Sequence, residues 1–381
     1  MQKRVAVAGF LGFFIIGAVQ ALYGPAIPQF LHVFHLTKAS VGLAVSCQFL
    51  GTVIGIMLSG LSERGGFKTN HRLVISCACL IGGLLMFALA PSWGVALTGA
   101  AIAGLGYGGI DININLLFAT SFGRRSAVML NLVNAAFGVG AIAGPILVAV
   151  APGGDYRWSF AALAALSVVM LPMVLTARDA PIEDAAIRPA RSAGSLLVLT
   201  GLFIAAYFVY VGVETGVSGW ETRFLQELNL VPVAMAAALP SLFWAALTAG
   251  RLLAVVVSRF AKAKVIVVAS MTLGVFCLAL AHFTGISAIA FTAAGFFLGP
   301  VFPTGLAWLG EHVSIAGGTL ALVVSAAAFG GVVFPPIIGG LFDTYGPLVV
   351  PTVLSALGAI CVLLFVGLLR FRHARIAEAG A

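Results

Sequence analysis

Apolar runs of about 20 residues or more follow one another along almost the whole chain, broken only by short polar clusters. Of its 381 residues, 61% are hydrophobic and 8% charged, far too few charges to clothe the surface of a water-soluble globule. A hydrocarbon core of about 30 Å is crossed by about 20 helical residues, and every backbone polar group inside it needs a partner. Runs this long and continuous predict helices, because transmembrane strands would show as short alternating segments. Counting between polar breaks places twelve spans at about 5–31, 40–62, 72–90, 93–121, 126–150, 157–177, 196–219, 231–258, 264–283, 285–309, 316–342 and 347–369. The expected fold class is an all-α membrane protein with twelve transmembrane helices. Lys3 and Arg4 stand where a signal peptide carries its positive charges, but the run through Leu31 is too long for one.

Lysine and arginine are distributed very unevenly about these spans. Lys38, Arg157 and Arg223 fall on one side, Arg251 lies inside a span, and all the others, from Lys3 and Arg4 to Arg375, fall on the opposite side. Basic loops are retained in the cytoplasm, so both termini are expected inside, with the chain in the inner (cytoplasmic) membrane. The same asymmetry accounts for the net charge of +8 and leaves no reason to invoke nucleic acid. Cys47, Cys77, Cys79, Cys277 and Cys361 all fall within spans and form no CxxC pair. They read as small apolar packing residues, and neither a metal nor a cofactor is expected.

One long polar stretch, 178–194, mixes both charge signs with Pro181 and Pro189 and divides the spans six and six. It predicts a cytoplasmic linker between an N-terminal bundle, 1–177, and a C-terminal bundle, 195–381, that ends in a short basic tail. The halves echo each other: Ser62–Lys68 with Ser258–Lys264, Gly104 and Gly108 with Gly295 and Gly299, and Phe137-Gly138 with Phe329-Gly330. All three matches recur at a spacing of about 190 to 200 residues, which argues for an internal repeat. Two six-helix repeats joined by a cytoplasmic connector resemble the major facilitator superfamily. That resemblance implies a substrate site between the halves near the bilayer midplane. The loop after the second span is similar to the family's Gly-x-x-x-Asp-Arg/Lys-x-Gly-x-Arg/Lys signature at Ser59, Glu63, Arg64, Gly66 and Lys68, with Ser and Glu replacing the first Gly and the Asp. The resemblance implies a charged latch at Glu63, Arg64 and Lys68; an ordinary basic loop obeying topology would look the same.

Carboxylates deep in a span cost about 2.5 to 3.5 kcal/mol on insertion scales and are normally paired, protonated or turned to water. Asp111 and Glu214 are read as the two such groups. Asp111 and Asn115 are i and i+4, hence on one helix face behind a glycine-rich run, whereas Asn113 points elsewhere as an interhelical hydrogen-bonding group. Tyr207, Tyr210 and Glu214 form one aromatic and acidic stripe, suited to a hydroxyl-rich ligand or, structurally, to bonding among themselves. Arg251 either snorkels to the nearby membrane surface or offsets an acid across the interface. Asn131 and Asn134 precede a Gly- and Pro-rich stretch that serves either close packing against the eighth span or an antiporter-like element. Pro300 and Pro303 flank Phe302 in the tenth span, where prolines can break the helix ladder beside a cavity.

These segments resemble, more narrowly, the L-fucose:proton symporter branch of the family. The points of likeness are Asp111 to Asn115 after the glycine run, Tyr210 to Thr215, Gly250-Arg251, and Pro28-Gln29-Phe30. The chain departs from that branch near Gly24, where the branch carries an acid and this chain offers only Gln20 and Tyr23. The resemblance implies alternating-access symport of a sugar or polyol with protons, by a monomer, with sodium as a second candidate ion. Proton coupling is assigned to Asp111 and Glu214. Substrate contact is assigned to Gln20, Tyr23, Asn115, Asn134, Tyr207, Tyr210, Trp244 and Phe302, and Arg251 joins the latch. A proton-coupled exporter of drugs or metabolites is the nearest alternative, and a non-transporting sensor a remote one. An enzyme is not expected, since no His cluster or Ser/His/Asp arrangement occupies a soluble loop.

Overall fold

The computed structural model describes residues 3–122, 125–175, 177, 193–228, 230–310 and 318–379. Positions 178–192 of the expected linker lie outside them, as do the side chains of Arg64, Asn131 and the basic residues after Leu369. Among the described residues the chain is helical, with no strand, and twelve segments are long and apolar enough to cross a membrane. The helices are α1 (Lys3–Phe34), α2 (Lys38–Arg64), α3 (Thr69–Ala88), α4 (Trp93–Ser121), α5 (Ser126–Ala149), α6 (Tyr156–Val174), α7 (Ala193–Glu227), α8 (Val233–Ala238), α9 (Pro240–Val257), α10 (Ala263–Leu280), α11 (Ser287–Leu298), α12 (Val301–Gly310), α13 (Gly318–Tyr345) and α14 (Val349–Ala379).

One expected span needs correction, and two others keep their extent but carry a break. The seventh, expected to stop at 219, continues through Glu227, because Glu221 and Arg223 are covered by neighbouring helices and do not mark the end of the apolar run. The eighth is interrupted at Leu239-Pro240 and becomes α8 and α9. The tenth breaks at Gly299-Pro300 into α11 and α12, since proline supplies no N–H to the helix ladder.

Local chemistry sets several ends. Thr37 caps α2 by accepting from the Ser40 N–H at 3.2 Å. At its other end the N–H groups of Gly66 and Phe67 donate to the Glu63 and Ser62 carbonyls at 3.0 Å, and Gly66 takes φ +78°. This is the reversed pair of bonds that closes a helix with a left-handed residue, where glycine carries no steric penalty.

Backbone contacts repeat between the halves. A Cβ on Gly104 or Gly108 of α4 would overlap the carbonyls of Gln48 and Thr52 on α2. In the second half, Gly295 and Gly299 meet the carbonyls of Phe243 and Leu247 on α9 in the same way. The glycines paired by sequence therefore do equivalent work, bringing two backbones together where only a hydrogen fits. At the end holding Phe34 and Lys38, an aromatic cluster ties α1, α3 and α6. Phe160 stacks on Phe87 at 4.4 Å, and Phe30 meets Tyr156 edge-on at 4.8 Å.

Bonds between helices preceding residue 177 and those following residue 193 cluster toward the Lys38 end. Lys38 Nζ lies 2.9 Å from Glu227 and 3.6 Å from Asp343, and the Ala39 N–H donates to Asp343 at 3.1 Å. Ser46 bonds to the Val332 carbonyl and Ser241 to that of Ile142. Gly42 lies against the Pro335 and Pro336 backbone, and Gly24 against Ser218 and Gly219. Toward the Gly66 end, Arg72 pairs with Glu63 at 3.2 Å and donates to the Ser59 carbonyl, both within the first set of helices.

Candidate functional site

Between the two sets of helices, α4 contributes a stripe at four-residue spacing: Tyr107, Asp111 and Asn115, all half-buried. Asn115 Nδ2 donates to Asp111 Oδ1 at 2.9 Å, as the i, i+4 spacing requires. Asn113 turns away and donates to Ser59 Oγ at 3.1 Å on α2 and to the Gly109 carbonyl. From the other set of helices, α7 contributes Glu214 and α9 contributes Arg251, both half-buried. Tyr107 lies within electrostatic reach of Asp111, Glu214 and Arg251 together, so a phenol from one half stands among two acids and a guanidinium drawn from both. Sequence reasoning left Tyr107 out, although its position one helical turn before Asp111 marks the same face.

The tyrosines of α7 are bonded to backbone. Tyr207 Oη donates to the Phe302 carbonyl at 3.0 Å. Tyr210 Oη lies 3.0 Å from the Leu298 carbonyl and 2.5 Å from Glu214 Oε2, and its single proton serves one of them at a time. Arg251 Nε donates to the Gly299 carbonyl at 3.3 Å, the group that would receive the missing N–H of Pro303 in an unbroken helix. Three side chains thus hold the carbonyls around the α11–α12 break. Both tyrosines are fully buried, and Tyr207 packs at 4.8 Å on Phe302, which is itself half-buried.

The remaining sequence-derived residues divide by location. Gln20 is half-buried on α1, between Gly17, which abuts the Phe137 carbonyl on α5, and Gly24, which abuts α7. Tyr23 is placed away from the seam, buried edge-on to Phe87 and Phe160 inside the first half. Trp244 is buried where α5, α7 and α9 meet, donating to Ser218 Oγ at 3.2 Å and lying edge-on to Phe137. Asn134 is exposed and donates to the Leu130 carbonyl of its own helix. In the loop after α2, Glu63 pairs with Arg72 at 3.2 Å within the first half, and Lys68 is exposed at the start of α3. The Arg64 side chain lies outside the described residues. Arg251 sits with the central acids, far from that loop in sequence and on the opposite half.

A third deep acid went unread. Glu221, two helical turns beyond Glu214 on α7, is wholly buried. Trp220, Phe224 and Leu225 around it continue the apolar run and are the signal that could have found it. Among the described residues no group of three His, Cys, Asp or Glu side chains gathers to hold a metal ion. The seam therefore offers acids, an amide pair, phenols and one guanidinium, groups suited to hydrogen-bonding a polar solute and to taking up protons.

The pattern of the Major Facilitator Superfamily matches residues 9–318. The chain is 22% identical over 387 residues to sodium-dependent glucose transporter 1A of Mus musculus, covering 89% of each. It is 24% identical over 404 residues to sodium-dependent glucose transporter 1 of Homo sapiens, covering 92% of this chain and 75% of that one. Among solved structures, it is similar to a nucleoside transporter (TM-score 0.78, 15% identity, 96% and 98% of the two chains). It is also similar to a D-xylose-proton symporter (TM-score 0.76, 14% identity, 95% and 96%). The twelve helices and the repeated glycine contacts thus agree with the sequence pattern: the chain belongs to the Major Facilitator Superfamily of membrane transporters and is not an enzyme.

Proposed function

We propose that this protein is a secondary transporter that moves a sugar or related polyol by alternating access, coupled to protons. One observation carries the reading. Asp111 with Asn115 on one half and Glu214 with Arg251 on the other converge about Tyr107, in a seam bonded shut toward one end. The basic loops support an outer Lys38 end, and the bonds there support an inward-facing reading of this arrangement. Asp111 serves as the principal proton site, with Glu214 second. Asn115, Gln20 and Phe302 supply amide and aromatic contacts for a hydroxylated ring. Tyr207 and Tyr210 shape the pocket through the broken helix, and Trp244 buttresses it from behind. Rocking of residues 1–177 against 195–369 exposes the seam alternately. The names of relatives that carry glucose or xylose support a sugar substrate.

Sodium is the second reading for the coupling ion, favoured by the relatives described as sodium-dependent. Purified protein in liposomes, assayed with a panel of hexoses, pentoses and polyols, tests the proposal. Uphill uptake driven by an inward proton gradient is expected. Uptake following a sodium gradient at equal pH assigns the other ion, and no flux of any of these solutes above empty liposomes refutes a sugar carrier.

A further inference from the structure

Glu221 has no place in the mechanism above. It is 0% exposed, and neither of its carboxylate oxygens has a hydrogen-bond partner. The surrounding helix is tightly enclosed: Gly24 of α1 presses on Ser218 and Gly219, Trp220 Nε1 donates to the Pro335 carbonyl of α13, and Phe224 lies edge-on to Phe291 of α11. An ionised carboxylate buried without a donor or a cation costs several kcal/mol. No such cation is at hand among the described residues. On α7 itself Arg223 is paired with Glu227, and Lys38 of α2 is shared by Glu227 and Asp343 of α13. The α1 segment from Gly17 to Phe34 offers Tyr23 and His32, α13 adds Tyr345, and α14 adds Cys361, which is bonded to the Ala206 carbonyl. Residues 138–149 of α5, 233–250 of α8 and α9, and all of α11 carry no ionisable side chain.

We propose that Glu221 is a proton-binding site that gates the Lys38 end of the transporter. The carboxyl holds a proton while that end is closed, and releases it when the halves part and water reaches α7. The proton comes from the medium at the Lys38 end and returns there, so Glu221 controls the gate without carrying charge across. This inference rests on the alternating-access reading. Since the closed state binds the extra proton, low pH at that end favours closure and rising pH favours opening.

Two spin labels measure the gate, at Val33→Cys and Leu348→Cys, exposed positions on opposite halves at this end, in full-length protein whose five cysteines are replaced. In lipid nanodiscs, the open-to-closed ratio should rise with pH from about 5 to about 9, by up to about tenfold per pH unit. Glu221→Gln should hold the gate closed at every pH, and Glu221→Asp should keep the dependence. Glu221→Met, similar in volume and unable to titrate, should behave as Glu221→Gln and serves if that variant does not fold. A parent-like pH profile in Glu221→Gln or Glu221→Met overturns the proposal, as does a ratio that answers to sodium at fixed pH and not to pH. A distance that moves with added sugar but not with pH removes Glu221 alone. One that never moves removes alternating access as well.

Discussion

Asp111 accepts from Asn115 through one carboxylate oxygen and lies within electrostatic reach of Tyr107, so its charge is the simplest to test. Asp111→Asn should abolish sugar accumulation driven by a pH gradient while leaving counterflow exchange measurable in liposomes; undiminished uphill uptake would remove it as the proton site. The phenols differ in another way. Tyr210→Phe leaves the Leu298 carbonyl without its donor and should lower stability by about 1 to 2 kcal/mol, seen as a lower apparent melting midpoint in detergent. Tyr23 Oη has no partner in its aromatic cluster, so Tyr23→Phe should be neutral or stabilising. Equal losses in both would contradict the hydrogen-bond account. The Asp111–Asn115 pair was legible because helical spacing puts i and i+4 on one face. Glu221 was not, because a charge cluster near the end of an apolar run looks the same whether lipid headgroups or other helices cover it.

Among the helices, glycine contacts separate stability from motion. Gly108 meets Thr52 within the first half, whereas Gly42 meets the Pro335–Pro336 backbone across the seam. Gly108→Val should therefore overpack a permanent contact and cost about 1 to 3 kcal/mol in thermal stability. Gly42→Val should leave the melting midpoint nearly unchanged and push the population toward opening at the Lys38 end, read by labelling of a cysteine placed in the seam. Loss of stability in both variants would mean that the Gly42 contact never parts. Helix existence was legible throughout, since twenty apolar residues in lipid have few other options. The α11–α12 break was foreshadowed by Pro300 and Pro303, but the side chains that mend it, Tyr207, Tyr210 and Arg251, come from helices distant in sequence and could not be read locally.

For the whole molecule, the repeat made the equivalent glycine contacts of α4 and α11 legible, yet the bonding at the Lys38 end was not. Under the proposed alternating access, the two orientations of one sequence would differ by only a few kcal/mol, and both would be written in it. Lys38 holds two acids of the opposite half, so Lys38→Ala should shift the balance toward opening at that end by about fivefold, the equivalent of about 1 kcal/mol for partly exposed pairs. Distances between labels at Val33→Cys and Leu348→Cys would report it, and an unchanged distribution would show that the ion pairs follow closure without favouring it. The aromatic cluster of Phe30, Phe87, Tyr156 and Phe160 stiffens the first half against bending. A stiff arm of about 20 Å turns each tilt of about 10° into a gap of roughly 3.5 Å at its tip. Such a crevice passes a water molecule and excludes a hexose. On the proposed alternating access, acids facing the crevice would therefore come to equilibrium with the newly opening side before any solute crossed the threshold, an order of events that rigidity alone imposes.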